Sequence, residues 1–490
     1  MASMLHVADD VQDIPVLVVG AGPAGLAAAI ELARHEIPVL LVERRTVLSS
    51  HPRATVLSLR SMELMRSWGL EAEVRARSAH VDMRMLLAET LADAAAGSAV
   101  AVGYPTREES RVLSPVEPAC IAQDDVEPLL LAHLRTQPSA RVELGTELTG
   151  ICMQADGARA TLHDLRTGTA RTVHATYVVA ADGARSAVRR ALGIAMPGDE
   201  DVLVGFTTLF RSPLWDVVGP HRHLLYSVAQ EASPTSFFPA GPSDRWLAGL
   251  RMEGAETLDE REIAEVIRRG AGVPGLPVRI ERSRRFSAAV QIAERFRCGP
   301  VFLAGDAAHR VTPRGGSGLN IALHDGFDVG WKLAWVLRRW ARPALLDTYD
   351  DERRPVAEYT AARSADPNGS IRPTEQVVHA DLGGRIPHVW SDALSTLDLL
   401  GTGLTLFAGR DGAAWEAAAG CLATRVPVNV RRLDPIAARA IGAAGRSALL
   451  VRPDGKPAAV LPASGEQVPA LRAAVAATAA DVSPPRPISV

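Results

Sequence analysis

"VLVVGAGPAGLAAAIELARHEIPVLLVER", residues 16–44, decides how the rest of the chain is read. Val16–Val19 is a short apolar run ahead of a glycine turn, the pattern of a strand buried on both faces. Leu26 to Arg34 is alanine-rich and helical. Val39–Val42 repeats the buried-strand pattern, with Glu43 at its end. The whole is a βαβ unit, and the turn inside it, Gly20-Ala21-Gly22-Pro23-Ala24-Gly25, is G-x-G-x-x-G. Glycines there permit a tight turn and let the backbone approach a pyrophosphate seated on the helix N-terminus. Glu43, 18 residues after Gly25, is placed to accept hydrogen bonds from a ribose diol. The unit predicts a dinucleotide held by Gly20, Gly22, Ala24, Gly25 and Glu43, and leaves NAD(P) and FAD both open. The competing reading is a glycine turn that serves only helix–strand packing.

Outward from this unit, 490 residues exceed one hydrophobic core and imply two or three domains. A composition 47% apolar and 22% charged is that of a globular protein, and a net charge of −3 gives no general attraction to nucleic acid or an anionic membrane. Of 53 basic residues only Lys332 and Lys456 are lysine, so any phosphate clamp must be arginine or backbone. Cys120, Cys152, Cys298 and Cys421 form no CxxC or Cys/His cluster and are expected to be four buried, reduced thiols. No metal site is read. Residues 1–14 lack a basic segment leading into an apolar core, and no apolar run is long enough to span a bilayer, so the expected location is cytoplasmic.

Along the chain, "RATVLSLRSMELMRSWGL" (53–70) reads as an amphipathic helix stopped by Gly69, and 120–136 as another helix with acids in its first turn. Alternating runs between about 141 and 182 read as hairpins leading into a buried strand, Tyr177–Ala181. Residues 201–280 switch to strands separated by Pro/Gly/Ser turns, a mostly antiparallel sheet inserted into the nucleotide-binding fold. "VFLAGDAAH" (301–309) returns to the parallel-strand pattern, followed by a helix from about 319 to 340. Residues 364–388 read as a linker. Beyond it, strand–helix–strand, a hairpin turning at Asp454-Gly455 and a final helix resemble a thioredoxin-like domain lacking CxxC, with a mobile tail at 481–490.

Two further turns carry chemistry. Asp182-Gly183 ends a strand and precedes an arginine-rich helix; Gly305-Asp306 is followed by "PRGGSGLN", 313–320. With Pro23 and Ala24, these resemble the para-hydroxybenzoate-hydroxylase type of FAD-dependent monooxygenase over residues 16 to about 360. The thioredoxin-like segment makes the phenol and aromatic-polyketide hydroxylase branch the nearest likeness. The resemblance implies an α/β fold: a Rossmann-like FAD-binding domain (14–200 and 281–363), an inserted β-sheet substrate domain (201–280) and a thioredoxin-like domain (389–480).

The resemblance also implies site residues. Asp306 would bond the FAD ribityl chain, and Pro313, Gly315, Gly316, Gly318, Leu319 and Asn320 would wrap the isoalloxazine, where side chains would strike a flat ring. The positive end of the following helix would face the flavin N1/C2=O edge. Arg44 and Arg53 fall where family members contact FAD near its phosphates or adenosine, Gln123 where they contact the ribityl region, and Asp182 where FAD and NAD(P)H are handled. A surface arginine, or a helix-capping glutamine, is the plain alternative for these. His309 and the "YDDERRP" segment, 349–355, are expected to be structural.

No second G-x-G-x-x-G exists, so NAD(P)H would dock transiently and reduce a flavin that swings outward. Reduced flavin would then give a C4a-hydroperoxide with O2, sheltered from water, which hydroxylates a phenolic polycyclic aromatic. Tyr226, Phe237, Phe238 and Trp246 are candidates to line the cavity, with core packing as the alternative. No side chain is assigned a catalytic role; Pro313 lies closest to the chemistry. A Baeyer–Villiger oxygenation, an antibiotic-inactivating oxygenation and a non-catalytic binding protein of the same fold remain alternatives, and the chain is expected to be a monomer or homodimer.

Overall fold

The strand Gln12–Val19 lies inside an eight-stranded sheet whose main path runs Arg297–Cys298, Val301–Leu303, Ala170–Ala180, Gln12–Val19, Val39–Glu43, Ala140–Leu144. The computed structural model describes residues 11–229, 235–250, 258–410, 412–462 and 466–480; the tail 481–490 falls outside them. From Val301–Leu303 to Ala140–Leu144 neighbouring strands are parallel, and the hairpin strands Thr146–Gln154 and Gly157–Asp164 join through Ala170–Ala180. Val16, Leu17 and Val18 are fully buried, as a parallel strand covered on both faces requires.

One of those covers is unusually close. Helix Pro23–Arg34 crosses helix Gly318–Leu337, and two glycines make the approach possible. A Cβ on Gly326 would stand 2.1 Å from the Ala24 carbonyl oxygen, and one on Gly330 2.8 Å from Glu31 Cβ. Backbone therefore meets backbone, and the amino-terminal nucleotide helix is keyed to the distal glycine-rich turn.

The second sheet has the order His309–Arg310, Arg279–Ile292, Gly198–Arg211, Arg245–Leu250, Thr235–Pro239, His223–Val228, Asp82–Ala88, Ser98–Val100. It reaches beyond segment 201–280, because Asp82–Ala88 joins it in parallel with His223–Val228. The remaining pairings described are antiparallel. Leu225–Val228 aligned with Met85–Ala88 is a long-range pairing that no local pattern announces.

Three other expectations are corrected. The helix expected over 53–70 begins only at Leu59: Val56–Leu57 is a short strand paired with Ala119–Cys120, and Ser58 accepts from Ser61 N as a cap. Segment 364–388 is not a loose linker. It carries the helix Thr374–Leu382, and Arg385 forms a buried pair with Glu63, Nε to Oε2 3.0 Å. Of the cysteines only Cys120 is buried; Cys152 and Cys421 are exposed and Cys298 is partly so, all free.

The carboxy-terminal sheet orders its strands Val428–Arg432, Leu404–Ala408, Ala448–Val451, Pro457–Leu461. The first two are parallel and the rest antiparallel, the 2-1-3-4 order of a thioredoxin-like core. A short helix, Pro435–Ala440, capped by Asp434, sits between strands and was not read from the sequence. This unit is fastened by charge: Glu352 accepts from Arg452 (2.8 Å at each oxygen) and Lys456 (2.7 Å), while Lys332 lies 3.6 Å away. Both lysines of the protein thus converge on one carboxylate.

Candidate active site

Three turns leave the same edge of the first sheet. Val19 is level with Ala180 and with Val42, and Ala180 with Leu303, so the turns at Gly20, Asp182 and Gly305 stand side by side. This is the carboxyl edge of a parallel sheet, where a ligand crevice forms.

At the first turn Gly20 has φ +106°, and a Cβ there would sit 2.3 Å from the Ala181 carbonyl oxygen; one on Gly25 would sit 1.9 Å from the Gly20 oxygen. The turn admits no side chain at either place. Glu43 accepts from Ala21 N and Arg45 N, both 2.9 Å, so it braces the glycine turn, and each oxygen keeps a lone pair for a hydroxyl. The N–H groups of Gly22, Ala24 and Gly25 have no protein acceptor among the described residues. Arg44 projects from the strand end, exposed.

At the middle turn Asp182 Oδ2 accepts from Ala187 N (2.7 Å) and Val188 N (3.2 Å), holding the start of helix Ala187–Ala191. Its other oxygen is buried with no partner, an unfilled acceptor on the crevice edge.

At the third turn a Cβ on Gly305 would lie 3.1 Å from that of Ala24, so the first and third turns touch. Asp306 is paired with Arg53 at 3.3 Å across 253 positions of sequence. Gln123 joins this group: its N–H donates to the Ala54 carbonyl at 2.9 Å and its amide to Glu127 at 2.7 Å. His51 lies close by, its pKa depressed first by burial and then by Arg284 and Arg282 of the second sheet. Arg284 and Arg282 therefore lie within electrostatic reach of this group.

The loop 313–320 departs from the reason given for its glycines. Gly315 and Gly316 have φ +80° and +60°, left-handed values that disfavour a side chain. What a Cβ would strike there is protein: the Arg363 guanidinium at 2.3 Å for Gly315, and the Tyr104 hydroxyl at 2.9 Å for Gly316. Gly318 opens the helix without positive φ, and its added Cβ meets only Val311, at 3.5 Å. Pro313 is exposed and its carbonyl accepts from Gly316 N at 3.0 Å. Leu319 and Asn320 are buried. Asn320 Oδ1 accepts from Ser58 N (2.8 Å) and its amide donates to Gly316 and Val56 carbonyls, tying the loop to residues 56–58.

His309 is structural, as read from sequence: its Nε2 lies 2.6 Å from Asp325, which also accepts from Arg353 at 2.8 Å. Burial alone would raise the Asp325 carboxyl; His309 and Arg353 outweigh it and hold the pKa at about 2. Tyr349 donates to the Leu303 carbonyl at 2.8 Å, placing "YDDERRP" beneath the third turn.

Of the four aromatic candidates, three are corrected. Tyr226, Phe237 and Trp246 belong to a separate core under helix Glu260–Ala271, on the far face of the second sheet. Tyr226 is satisfied there, accepting from His223 N and donating to the His221 carbonyl, both 2.9 Å. Phe238 points the other way, against Ala122, Leu209, Ala240 and Leu247. The period of two along the strand separates Phe237 from Phe238, and only tertiary placement tells which face is which. Tyr104, Arg363, Ser58 and Gly326 were missed. Only Gly326 had a local signal, its four-residue spacing from Gly330.

Residues 13–364 match the family described as FAD binding domain, and residues 379–480 match the aromatic-ring hydroxylase C-terminal domain. The chain belongs to the FAD-dependent aromatic-ring hydroxylases. Among relatives of this family, tetracenomycin A2 monooxygenase-dioxygenase of Streptomyces glaucescens is 32% identical over 91% of this chain and 92% of its own. An aklavinone 12-hydroxylase of Streptomyces peucetius is 36% identical over 82% and 93%. Among solved structures, aklavinone-11 hydroxylase with FAD and aklavinone superposes with a TM-score of 0.85 at 30% identity, covering 96% of this chain and 99% of that one. The flavin-dependent monooxygenase PieE, in complex with FAD and substrate, gives 0.85 at 27%, with 96% and 99% coverage. The free amides, the unfilled Asp182 oxygen and the touching first and third turns fit the FAD of this hydroxylase family. No described helix is long and apolar enough to cross a membrane.

Proposed function

We propose that this flavoprotein hydroxylates a phenolic, polycyclic aromatic of the polyketide type, consuming NAD(P)H and O2. The observation that carries this reading is the contact between the first and third turns, which brings together two stretches nearly 300 residues apart. Gly22, Ala24 and Gly25 amides, with Arg44 nearby, would hold the diphosphate; Glu43 the ribose; Asp306, Arg53 and Gln123 the ribityl region; Ser317 to Asn320 amides the electron-accepting edge of the ring. FAD, when bound, supplies the redox and oxygen chemistry. The protein's part is to present donors where negative charge appears and to keep water out.

The apolar patch of Phe238, Leu209, Leu247 and Ala122 would receive the flat substrate. The relatives named for aklavinone and tetracenomycin support a polycyclic phenol. No side chain here is assigned as a catalytic base. NAD(P)H would dock on the surface, in the cytoplasm, to a monomer or homodimer.

The test is to load the full chain with FAD and follow flavin bleaching by NADPH under anaerobiosis, with and without candidate polycyclic phenols. A ligand that accelerates bleaching, followed in air by a product carrying one atom from labelled O2, supports the reading. NADPH oxidation that yields only hydrogen peroxide with every phenol tried overturns it. Structural analysis of the product separates ring hydroxylation from lactone formation.

A further inference from the structure

Behind the flavin loop lies a buried cation that the family reading does not use. Arg363, on the helix Thr348–Ala365, is 6% exposed, and no carboxylate among the described residues pairs with it. It donates to the Gly315 carbonyl at 2.9 Å and to the Ser317 hydroxyl, and its Nε is buried without a partner. The guanidinium fills the space a Gly315 Cβ would occupy. The charge therefore lies directly against the backbone of the loop.

Its neighbours turn the loop the same way. The Tyr104 hydroxyl lies 3.1 Å from the Gly316 carbonyl, the Asn320 amide also donates there at 3.1 Å, and the Ser317 hydroxyl donates to Gly315 at 3.1 Å. The loop carbonyls are thus drawn backward into the protein. A trans peptide points its N–H opposite its C=O, so the Ser317 amide faces away from Tyr104 and Asn320. Ser317, Gly318, Leu319 and Asn320 amides have no protein acceptor among the described residues. An uncompensated buried cation is costly unless negative charge arrives close by.

We propose that Arg363 is a positioning residue for the flavin: it holds the loop carbonyls away from the ring and favours an electron-rich flavin through its charge. The inference requires FAD as cofactor and is independent of the substrate class. A cavity of about 40 Å³ beside it, lined also by Asp381, Tyr104 and His324, gives room for a water on its free Nε.

Sulfite is the probe, because its addition to oxidised flavin places negative charge on the ring. In FAD-loaded full-length protein, Arg363→Gln keeps an amide donor and loses the charge; it is expected to raise the sulfite dissociation constant roughly tenfold and lower the flavin midpoint potential. Arg363→Lys is expected to stay near wild type in both. Asp381→Asn removes a carboxylate from the same cavity and is expected to tighten sulfite binding. Should Arg363→Gln not fold, the Asp381→Asn shift decides. Sulfite affinity and potential unmoved in Arg363→Gln, or in Asp381→Asn where it alone folds, overturn the proposal even if hydroxylation itself is established.

Discussion

Arg53 and Asp306 meet at 3.3 Å, although 253 positions separate them in the chain. Both side chains are more exposed than buried partners would be, at 61% and 41%. An ion pair in water contributes little to stability, so the conjunction is better explained by what it brackets, the junction between the first and third turns.

Arg53→Ala is accordingly expected to leave the melting temperature nearly unchanged, since an exposed pair is worth at most about 1 kcal/mol. FAD affinity, followed by recovery of flavin fluorescence on release, is expected to fall roughly tenfold, about 1.4 kcal/mol. An unchanged FAD dissociation constant would remove Arg53 from the cofactor site.

Asp325 bears on stability. Asp325→Asn leaves Arg353 buried without its carboxylate and deprives His309 of its partner, so a loss of about 3–5 kcal/mol in urea unfolding is expected. Because the native pKa, about 2, lies below the unfolded value near 3.8, the wild-type carboxylate contributes stability above that value and loses it as pH falls toward 2. The variant should lack this part of the acid slope. Parallel acid transitions in the two proteins would count against the assignment.

Asp381 has the opposite sign. Burial raises its carboxyl to about 6, ahead of the Ser58 and Arg60 hydrogen bonds that lower it. Folding therefore takes up a proton between about pH 4 and 6, and stability declines as pH rises through that window. In Asp381→Asn that decline should flatten. A variant that retains the wild-type slope shows that another group titrates there.

Neighbouring phenylalanines should respond differently. Phe237→Ala empties a fully buried core position and should cost about 3–5 kcal/mol. Phe238→Ala should cost less and instead lower substrate-dependent acceleration of NADPH oxidation relative to the basal rate. Equal destabilisation with unaltered substrate response would place Phe238 in the core as well.

How much of this was legible along the chain depends on the range of the physics involved. The parallel strands, their glycine turns and the two long helices were readable because burial on both faces, period 3.6 and left-handed turns each leave a local mark, as at Val16–Val19, Gly20 and Leu323–Phe327. The tertiary structure alone decided which distant groups meet. Arg363 behind Gly315, Asp82–Ala88 beside His223–Val228, Phe238 against Ala122 while Phe237 packs under helix Glu260–Ala271, and Lys332 with Lys456 on Glu352 are all contacts between segments whose local sequences carry no trace of each other. Gly315 and Gly318 look alike in the sequence; that a guanidinium forbids a side chain at the first and nothing does at the second is settled only when the chain has closed around them.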